Sequence, residues 1–200
     1  MQEALRAALL GSTGRAPTDR QGRVYEKIAE AYKAGKHAEV VGMAEEGQAV
    51  AGEVRRAWPG HAAQIYRMLG ASFAERCEYV KGVGLLEQAR ALAVESGDRA
   101  VLADVCNSLG SYRRVQGEHE KAIEELEQSK AIFVEVGNRE SERAVCINLG
   151  MSYRALKQYD KAIELFEQSL AIYEELGEKS RLQVRVCRND LFTGELISVS

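Results

Sequence analysis

The sequence predicts an all-α fold, a right-handed superhelical solenoid of antiparallel helix pairs. Three observations predict it: a repeat of forty residues, apolar residues at helical spacing inside each repeat, and prolines confined to the first third of the chain. Pro17 and Pro59 are the only prolines among 200 residues. Because proline breaks helices, the chain beyond Pro59 can form long ones.

The repeat is visible when residues 97–136 are aligned without gaps against residues 137–176. The two stretches are identical at 17 of 40 positions, among them the Leu-Gly pairs at 109–110 and 149–150. Residues 57–96 keep the same phase, with Leu-Gly at 69–70. Self-similarity at such a constant period is typical of solenoids, in which each repeat buries its apolar face against its neighbours.

Apolar residues inside a repeat follow a helical period in two groups. In the last repeat the groups are Val145, Leu149, Tyr153 and Leu156, then Ile163, Phe166, Leu170 and Tyr173. The pattern breaks between them at Lys157-Gln158. The spacing predicts two antiparallel helices per repeat, called helix A and helix B, with Gly137 and Gly177 as C-terminal caps.

A glycine recurs inside each predicted helix A, at Gly70, Gly110 and Gly150. Glycine in a helix interior costs about 1 kcal/mol relative to alanine, so its recurrence needs a packing reason. Helix B carries a small residue at the matching phase of each repeat, namely Gly82, Ala122 and Ala162. We therefore expect helices A and B to approach closely at these points.

The pattern also divides the chain into segments. Three full repeats are predicted at 58–97, 98–137 and 138–177, called repeats 1, 2 and 3. Residues 23–57 echo the repeat loosely and predict a degenerate helix pair, with helices near 23–34 and 37–57. The "AWPG" stretch at 57–60 marks the boundary between the pair and repeat 1.

The two ends depart from the repeat. Residues 1–22 predict an N-terminal arm, with a short amphipathic helix over 2–10 and a flexible link over 11–22. Residues 178–200 begin like another helix A, and predict either a capping helix and tail or the remnant of a longer array. The arm lacks the basic start and uninterrupted apolar run of a secretory signal, while organelle targeting stays an alternative.

Composition excludes several classes of function. The 27 basic and 30 acidic residues give a net charge of -3, whereas a nucleic-acid-binding protein is usually basic. No run of 18 apolar residues exists, so no membrane insertion is expected. The cysteines, Cys77, Cys106, Cys146 and Cys187, form no C-x-x-C pair and predict reduced thiols in the cytoplasm. Cys106 and Cys146 share a phase that predicts burial in the core, with redox sensing as the alternative, and Cys77 is predicted to be exposed.

No catalytic constellation is visible. The three histidines, His37, His61 and His119, are scattered, and neither H-E-x-x-H nor G-x-S-x-G occurs. The sequence therefore predicts a protein with no catalytic residues, no metal site and no cofactor. An enzymatic role would need chemistry supplied by a partner chain.

Residues at fixed positions of each repeat resemble the pattern of a known family. Three positions before the leucine of each repeat stands Tyr66, Cys106 or Cys146. Three positions after the glycine stands an aromatic residue in repeats 1 and 3, Phe73 and Tyr153, and Arg113 in repeat 2. Four positions after the small residue of helix B stands a large apolar residue, Leu86, Leu126 or Phe166. This pattern resembles the tetratricopeptide repeat, although its usual terminal proline is missing. The forty-residue period resembles the Leu-Gly-Asn-type repeats of spindle-orientation adaptors and, more loosely, the repeats of kinesin light chains.

The resemblance implies that helices A line a concave groove and helices B form the convex back. Family groove positions carried onto this chain are Asp104, Asn107, Ser108, Ser111, Arg114, Ile147, Asn148, Met151 and Arg154. Asn148 would hold the backbone of a bound segment, the arginines would meet carboxylates, and Ile147 and Met151 would add apolar contact. The family's clamp for chaperone C-termini is absent, because Met68 and Ser108 stand where Asn148 stands in repeat 3.

Charge sorting predicts the kind of partner. In repeats 2 and 3, basic residues are concentrated on helices A and acidic residues on helices B. A groove lined by helices A would therefore favour an acidic segment. The alternative is that these charges only solubilise the surface. We predict a non-enzymatic adaptor that binds an acidic or amphipathic segment of a partner protein. The other interpretation is a structural subunit of a large complex, contacting it through the convex face and the termini.

Overall fold

Nine α-helices lie within residues 18–176, the part of the chain that the computed structural model describes. They are α1 (Asp19–Lys33), α2 (His37–Gly42), α3 (Ala44–Val54), α4 (Pro59–Glu75), α5 (Tyr79–Ser96), α6 (Arg99–Val115), α7 (His119–Glu135), α8 (Arg139–Ala155) and α9 (Tyr159–Glu175). These residues contain no strand. The predicted all-α fold of consecutive helix pairs is confirmed, with α4, α6 and α8 as helices A and α5, α7 and α9 as helices B.

The chain forms two compact bodies, which divide within α6 after Ser108. In the N-terminal body, α1, α2 and α3 pack on α4, and α4 packs along α5. In the C-terminal body, α7 packs against α8 and α8 against α9. Each body has a core of aliphatic side chains, including Ile28, Ile65 and Leu86 in the first and Leu126 and Leu149 in the second.

Helix α1 begins earlier than the sequence analysis predicted. Residues 19–22, which were assigned to a flexible link, are helical. The reason is a capping box: the Thr18 hydroxyl accepts from the Gln21 backbone N–H, and the Gln21 side chain accepts from the Thr18 N–H. The pattern Thr18-x-x-Gln21 was available as a start signal.

The helix predicted over 37–57 is two helices, α2 and α3, separated at Met43. The Met43 backbone leaves helical geometry at φ -94 and ψ 8. Beyond this turn Gly47 lies so close to α1 and α4 that an added Cβ would sit 2.8 Å from Ile28 Cδ1 and 3.2 Å from Leu69 Cδ1. The break therefore lets a short helix pack tightly beside two others.

The close approach of helices A and B at the recurring glycines is confirmed. A Cβ on Gly70 would lie 2.9 Å from the Gly82 carbonyl oxygen, and one on Gly110 would lie 3.1 Å from the Ala122 carbonyl oxygen. The large residue of helix B blocks the same space, because Leu86, Leu126 and Phe166 supply the other near atoms. The glycine positions of helices A therefore have no room for a methyl group.

The turn glycine of repeat 2 also behaves as predicted. Gly137 has φ +70, and the Asn138 N–H bonds back to the Phe133 carbonyl, which closes α7. Predictions for the helix over 2–10, Gly177, Cys187 and the capping segment 178–200 lie outside the described residues.

The cysteine predictions are confirmed where the structure describes them. Cys106 and Cys146 are fully buried, and Cys77 is exposed. Burial raises the pKa of the Cys146 thiol, which disfavours the reactive thiolate. Both buried cysteines therefore serve as small apolar core residues.

Candidate functional site

The nine predicted groove residues are all half-buried and lie on helices A. Three of them, Asp104, Asn107 and Ser108, belong to the N-terminal body. The other six, Ser111 and Arg114 on α6 and Ile147, Asn148, Met151 and Arg154 on α8, belong to the C-terminal body. Spacings of three and four residues place the members of each helix on one face.

In the C-terminal body, a hydrogen bond joins the two helices A. The Asn148 Nδ2 group donates to the Ser111 Oγ atom over 3.1 Å, between residues that are 37 positions apart. The bond fixes the Asn148 amide, so one of its two donor hydrogens is already used. Asn148 thus stands on the predicted face, held by its neighbour.

Arg114 and Arg154 hold positive charge near each other in the same body. Burial lowers the pKa of the Arg114 guanidinium, and the charge of Arg154 lowers it further. Within residues 18–176 neither arginine forms an ion pair, and the buried Arg114 Nε has no hydrogen-bond partner. The two guanidiniums therefore lack a counter-charge within the described chain.

Other arginines of helices A in this body have partners. Arg113 contacts Glu118 at 3.2 Å and Glu125 at 3.6 Å, which explains how a charge is tolerated at the family's aromatic position. Arg139 contacts both Glu142 and Glu175. The guanidinium of Arg143 lies over the Tyr173 ring, 5.7 Å from its centroid. Among the arginines of helices A in the C-terminal body, Arg114 and Arg154 are therefore the two that remain without a partner among the described residues.

In the N-terminal body, the arginine on the helix A face is paired with a carboxylate of the same body. Arg67 Nε lies 3.8 Å from Asp104 Oδ2, and the Arg67 guanidinium stands over the Tyr32 ring, 5.3 Å from its centroid. Burial raises the pKa of the Asp104 carboxyl, while Arg67 pulls it down and Asp98 pushes it up. Asp104 is therefore engaged by Arg67.

Sequence reasoning missed further polar and aromatic residues near this pair. The Tyr25 hydroxyl donates to Gln64 Oε1, and the Tyr25 ring meets the His61 ring edge-on, with centroids 5.6 Å apart. Gln64 and Arg67 stand forty positions before Asp104 and Asn107, so the period alone could have added them. Tyr25 and Tyr32 lie in the degenerate pair, where the repeat offers no alignment.

The described residues, 18–176, contain neither a candidate metal site nor a helix that could span a membrane. These residues hold no group of three or more His, Cys, Asp or Glu side chains that could bind a metal ion. No helix of this part has both the length and the apolar character needed to cross a membrane.

Comparison with known proteins identifies the repeat. A family model described as tetratricopeptide repeat matches residues 103–175 and 141–191. No curated protein sequence matches the chain. The resemblance to Leu-Gly-Asn-type repeats is tested by neither finding and stays a prediction.

Solved structures share the fold at low identity. Aspartyl phosphate phosphatase F from Bacillus subtilis superposes with a TM-score of 0.77 at 16% identity, covering 89% of this chain and 47% of that one. BtubC from P. vanneervenii superposes with a TM-score of 0.67 at 18% identity, covering 90% of this chain and 74% of that one. A putative kinesin light chain with TPR-like repeats from Podosopora anserina superposes with a TM-score of 0.64 at 21% identity, covering 88% of this chain and 86% of that one.

These similarities show the fold alone, and the chain spans about half the length of the phosphatase it resembles. The repeats that the family model matches support protein–protein interaction as the general role. Together with the helix pairs and the glycine contacts between helices A and B, they identify tetratricopeptide repeats in the part of the chain that the family model matches, residues 103–191.

Proposed function

We propose that the protein is a non-enzymatic adaptor that binds an acidic segment of a partner protein on the helix A face of its C-terminal body. The binding residues in this proposal are Ser111, Arg114, Ile147, Asn148, Met151 and Arg154. The half-buried Ile147 and Met151 would contact apolar side chains of the segment.

The observation that carries the proposal is the unpaired state of Arg114 and Arg154 within the described chain. Two guanidiniums that repel each other and are partly removed from water raise the free energy of the unbound protein. A carboxylate placed between them would relieve the repulsion and accept charge-assisted hydrogen bonds. The binding of an anion is thus favoured by the fold itself.

A purely structural explanation accounts for part of this arrangement. Arg114 and Arg154 lie in the last turns of α6 and α8, where the helix dipole favours a cation. That explanation suits each arginine singly. It gives no reason for bringing the two side chains together, because their mutual repulsion opposes the dipole effect.

The N-terminal body supplies an internal comparison. There Arg67 is already paired with Asp104, so an acidic guest would have to displace a carboxylate of the same chain. For this reason the proposal assigns the acidic segment to the C-terminal face and does not include Asp104, Asn107 or Ser108 in its charge recognition.

Charge reversal tests the proposal. In Arg114→Glu/Arg154→Glu, we expect affinity for a labelled Glu-rich amphipathic peptide to fall about a hundredfold or more, because two charge-assisted hydrogen bonds become repulsions. Fluorescence anisotropy measures the affinity, and circular dichroism checks that helicity is kept. The control Arg56→Glu/Arg76→Glu makes the same change in net charge at exposed sites of the N-terminal body.

The control variant should bind like the wild type. Equal loss of affinity in both variants would assign the effect to net charge and contradict the proposal. Equal affinity of wild type and the Arg114→Glu/Arg154→Glu variant would contradict it more directly.

A second candidate function is a structural subunit of a large complex. Exposed apolar side chains near the ends of helices B favour it, since Val134, Val136 and Leu176 are 54%, 44% and 41% exposed. Affinity capture from a native extract separates the two functions. An adaptor loses its partners when Arg114 and Arg154 are reversed, whereas a subunit loses them when the three apolar residues are replaced by serine.

A further inference from the structure

Four side chains of the C-terminal body form what we call the donor cluster: Ser111, Arg114, Asn148 and Arg154. Serines of helices A usually donate to the carbonyl one turn back, as Ser108 does to Asp104 at 2.9 Å and Ser152 to Asn148 at 3.0 Å. Ser111 makes no such bond within the described residues. Its Oγ atom accepts from Asn148, so its hydroxyl hydrogen is left to donate elsewhere.

The cluster carries two positive charges and no acid. Within residues 18–176, no carboxylate lies at ion-pair distance from Arg114 or Arg154. A single carboxylate brings one negative charge and would leave one guanidinium charge uncompensated. A phosphomonoester has a second pKa of about 6, so near neutral pH it carries almost two negative charges, and it has three acceptor oxygens.

We propose that the donor cluster recognises a phosphorylated serine or threonine side chain within the partner segment. Two phosphoryl oxygens would accept from the Arg114 and Arg154 guanidiniums, and the third would accept from the Ser111 hydroxyl. Arginine suits this task because its planar fork matches the geometry of phosphate oxygens. The Asn148 amide positions Ser111 for the third bond through the contact already present.

The inference rests on the proposed function and deepens it. It predicts that the same face binds a doubly charged phosphate group more tightly than a singly charged carboxylate. Arg67 does not offer an equivalent site in the N-terminal body, because Asp104 beside it would repel a phosphate. The inference therefore concerns the donor cluster and does not extend to the face around Arg67.

The test uses one acidic amphipathic peptide in three forms that differ at a central residue: serine, glutamate and phosphoserine. We expect the phosphoserine form to bind about tenfold more tightly than the glutamate form near neutral pH, because it adds a charge-assisted hydrogen bond. Its advantage should shrink as pH falls from about 7.5 to about 5, through the second phosphate pKa, whereas the serine and glutamate forms lack this transition.

Variants separate recognition from folding. Ser111→Ala should reduce the affinity for the phosphoserine form more than the affinity for the glutamate form, since the phosphate alone uses a third donor at the cluster. Arg154→Lys keeps the charge but removes the fork, and should also reduce the preference for phosphoserine. Arg76→Lys is the matched control at an exposed site and should change nothing.

The outcomes distinguish the two proposals. If the glutamate form binds through Arg114 and Arg154 but phosphoserine adds nothing, the phosphate inference is wrong and the proposed function stands. If no form binds, both are wrong. A phosphoserine advantage that survives Ser111→Ala and Arg154→Lys unchanged would also overturn the inference, because the phosphate would then be bound elsewhere.

Discussion

Gly150 on α8 and Phe166 on α9 share one space: a Cβ added to Gly150 would lie 2.6 Å from Phe166 Cε1 and 3.0 Å from Cδ1. Carbon atoms in ordinary contact stay about 3.5–4.0 Å apart, so the pair leaves no room for a side chain at residue 150. The glycine that costs helix stability is therefore needed for the contact between helices A and B.

The first prediction concerns this contact. Gly150→Leu should force α8 and α9 apart and unfold repeat 3, at a cost above the roughly 1–3 kcal/mol of ordinary overpacking, because the branched side chain meets an aromatic ring. Chemical denaturation monitored by circular dichroism measures the loss.

A matched control for Gly150→Leu is available in α5. Gly84→Ala introduces a Cβ where no atom lies within 4 Å, and should stabilise the protein by about 0.5–1 kcal/mol, the usual helix gain of alanine over glycine. Unchanged melting of the Gly150→Leu protein would contradict the packing argument.

The second prediction concerns the turns after helices A. Gly117 has φ +81, and the equivalent residues forty positions before and after, Cys77 and Lys157, hold φ +63 and +59. A side chain in this left-handed region costs about 1–2 kcal/mol. Lys157→Gly should stabilise the protein by about 0.5–1 kcal/mol, because part of that gain is lost to the greater entropy of unfolded glycine.

The reverse change serves as the comparison. Gly117→Ala should destabilise the protein by about 1 kcal/mol, since it places a side chain in the same region. Thermal melting of both variants gives the two signs. If both substitutions shift the melting temperature in the same direction, turn strain is not the cause.

The third prediction concerns pH. Burial raises the pKa of Asp104 above its unfolded value, so the folded protein binds more protons than the unfolded chain between those two pKa values. Because stability falls with pH wherever the native state binds more protons, this group opposes folding increasingly as pH rises from about 4. The Asp104→Asn variant lacks this contribution.

Urea unfolding at a series of pH values tests the sign. The difference in unfolding free energy, wild type minus Asp104→Asn, should decrease as pH rises through the acid range. Asp160→Asn, at an exposed site of α9, accounts for the change in overall charge. A difference that increases with pH would mean that the attraction of Arg67 outweighs burial.

The sequence by itself determined the fold. Apolar spacing located helices A and B of three repeats, and the phase of Gly70, Gly110 and Gly150 predicted where the helices touch, because both follow from helical geometry. The residues that surround those glycines also indicated the resemblance to the tetratricopeptide repeat, which the family model matches over residues 103–191. The sequence also contains the capping-box pattern at Thr18, although the repeat pattern predicts that the first helix starts near residue 23.

Tertiary structure decided which charges are satisfied. Arg67, Arg114 and Arg154 all belong to helix A faces, and the sequence offers no reason to treat them differently. Whether a carboxylate reaches a given guanidinium depends on side-chain direction and on the separation of helices that are far apart in sequence, and ion pairing falls off within a few ångströms. Asp104 reaches Arg67, and no described acid reaches Arg114 or Arg154, so only packing in three dimensions could distinguish the paired arginine from the two that lack a carboxylate among the described residues.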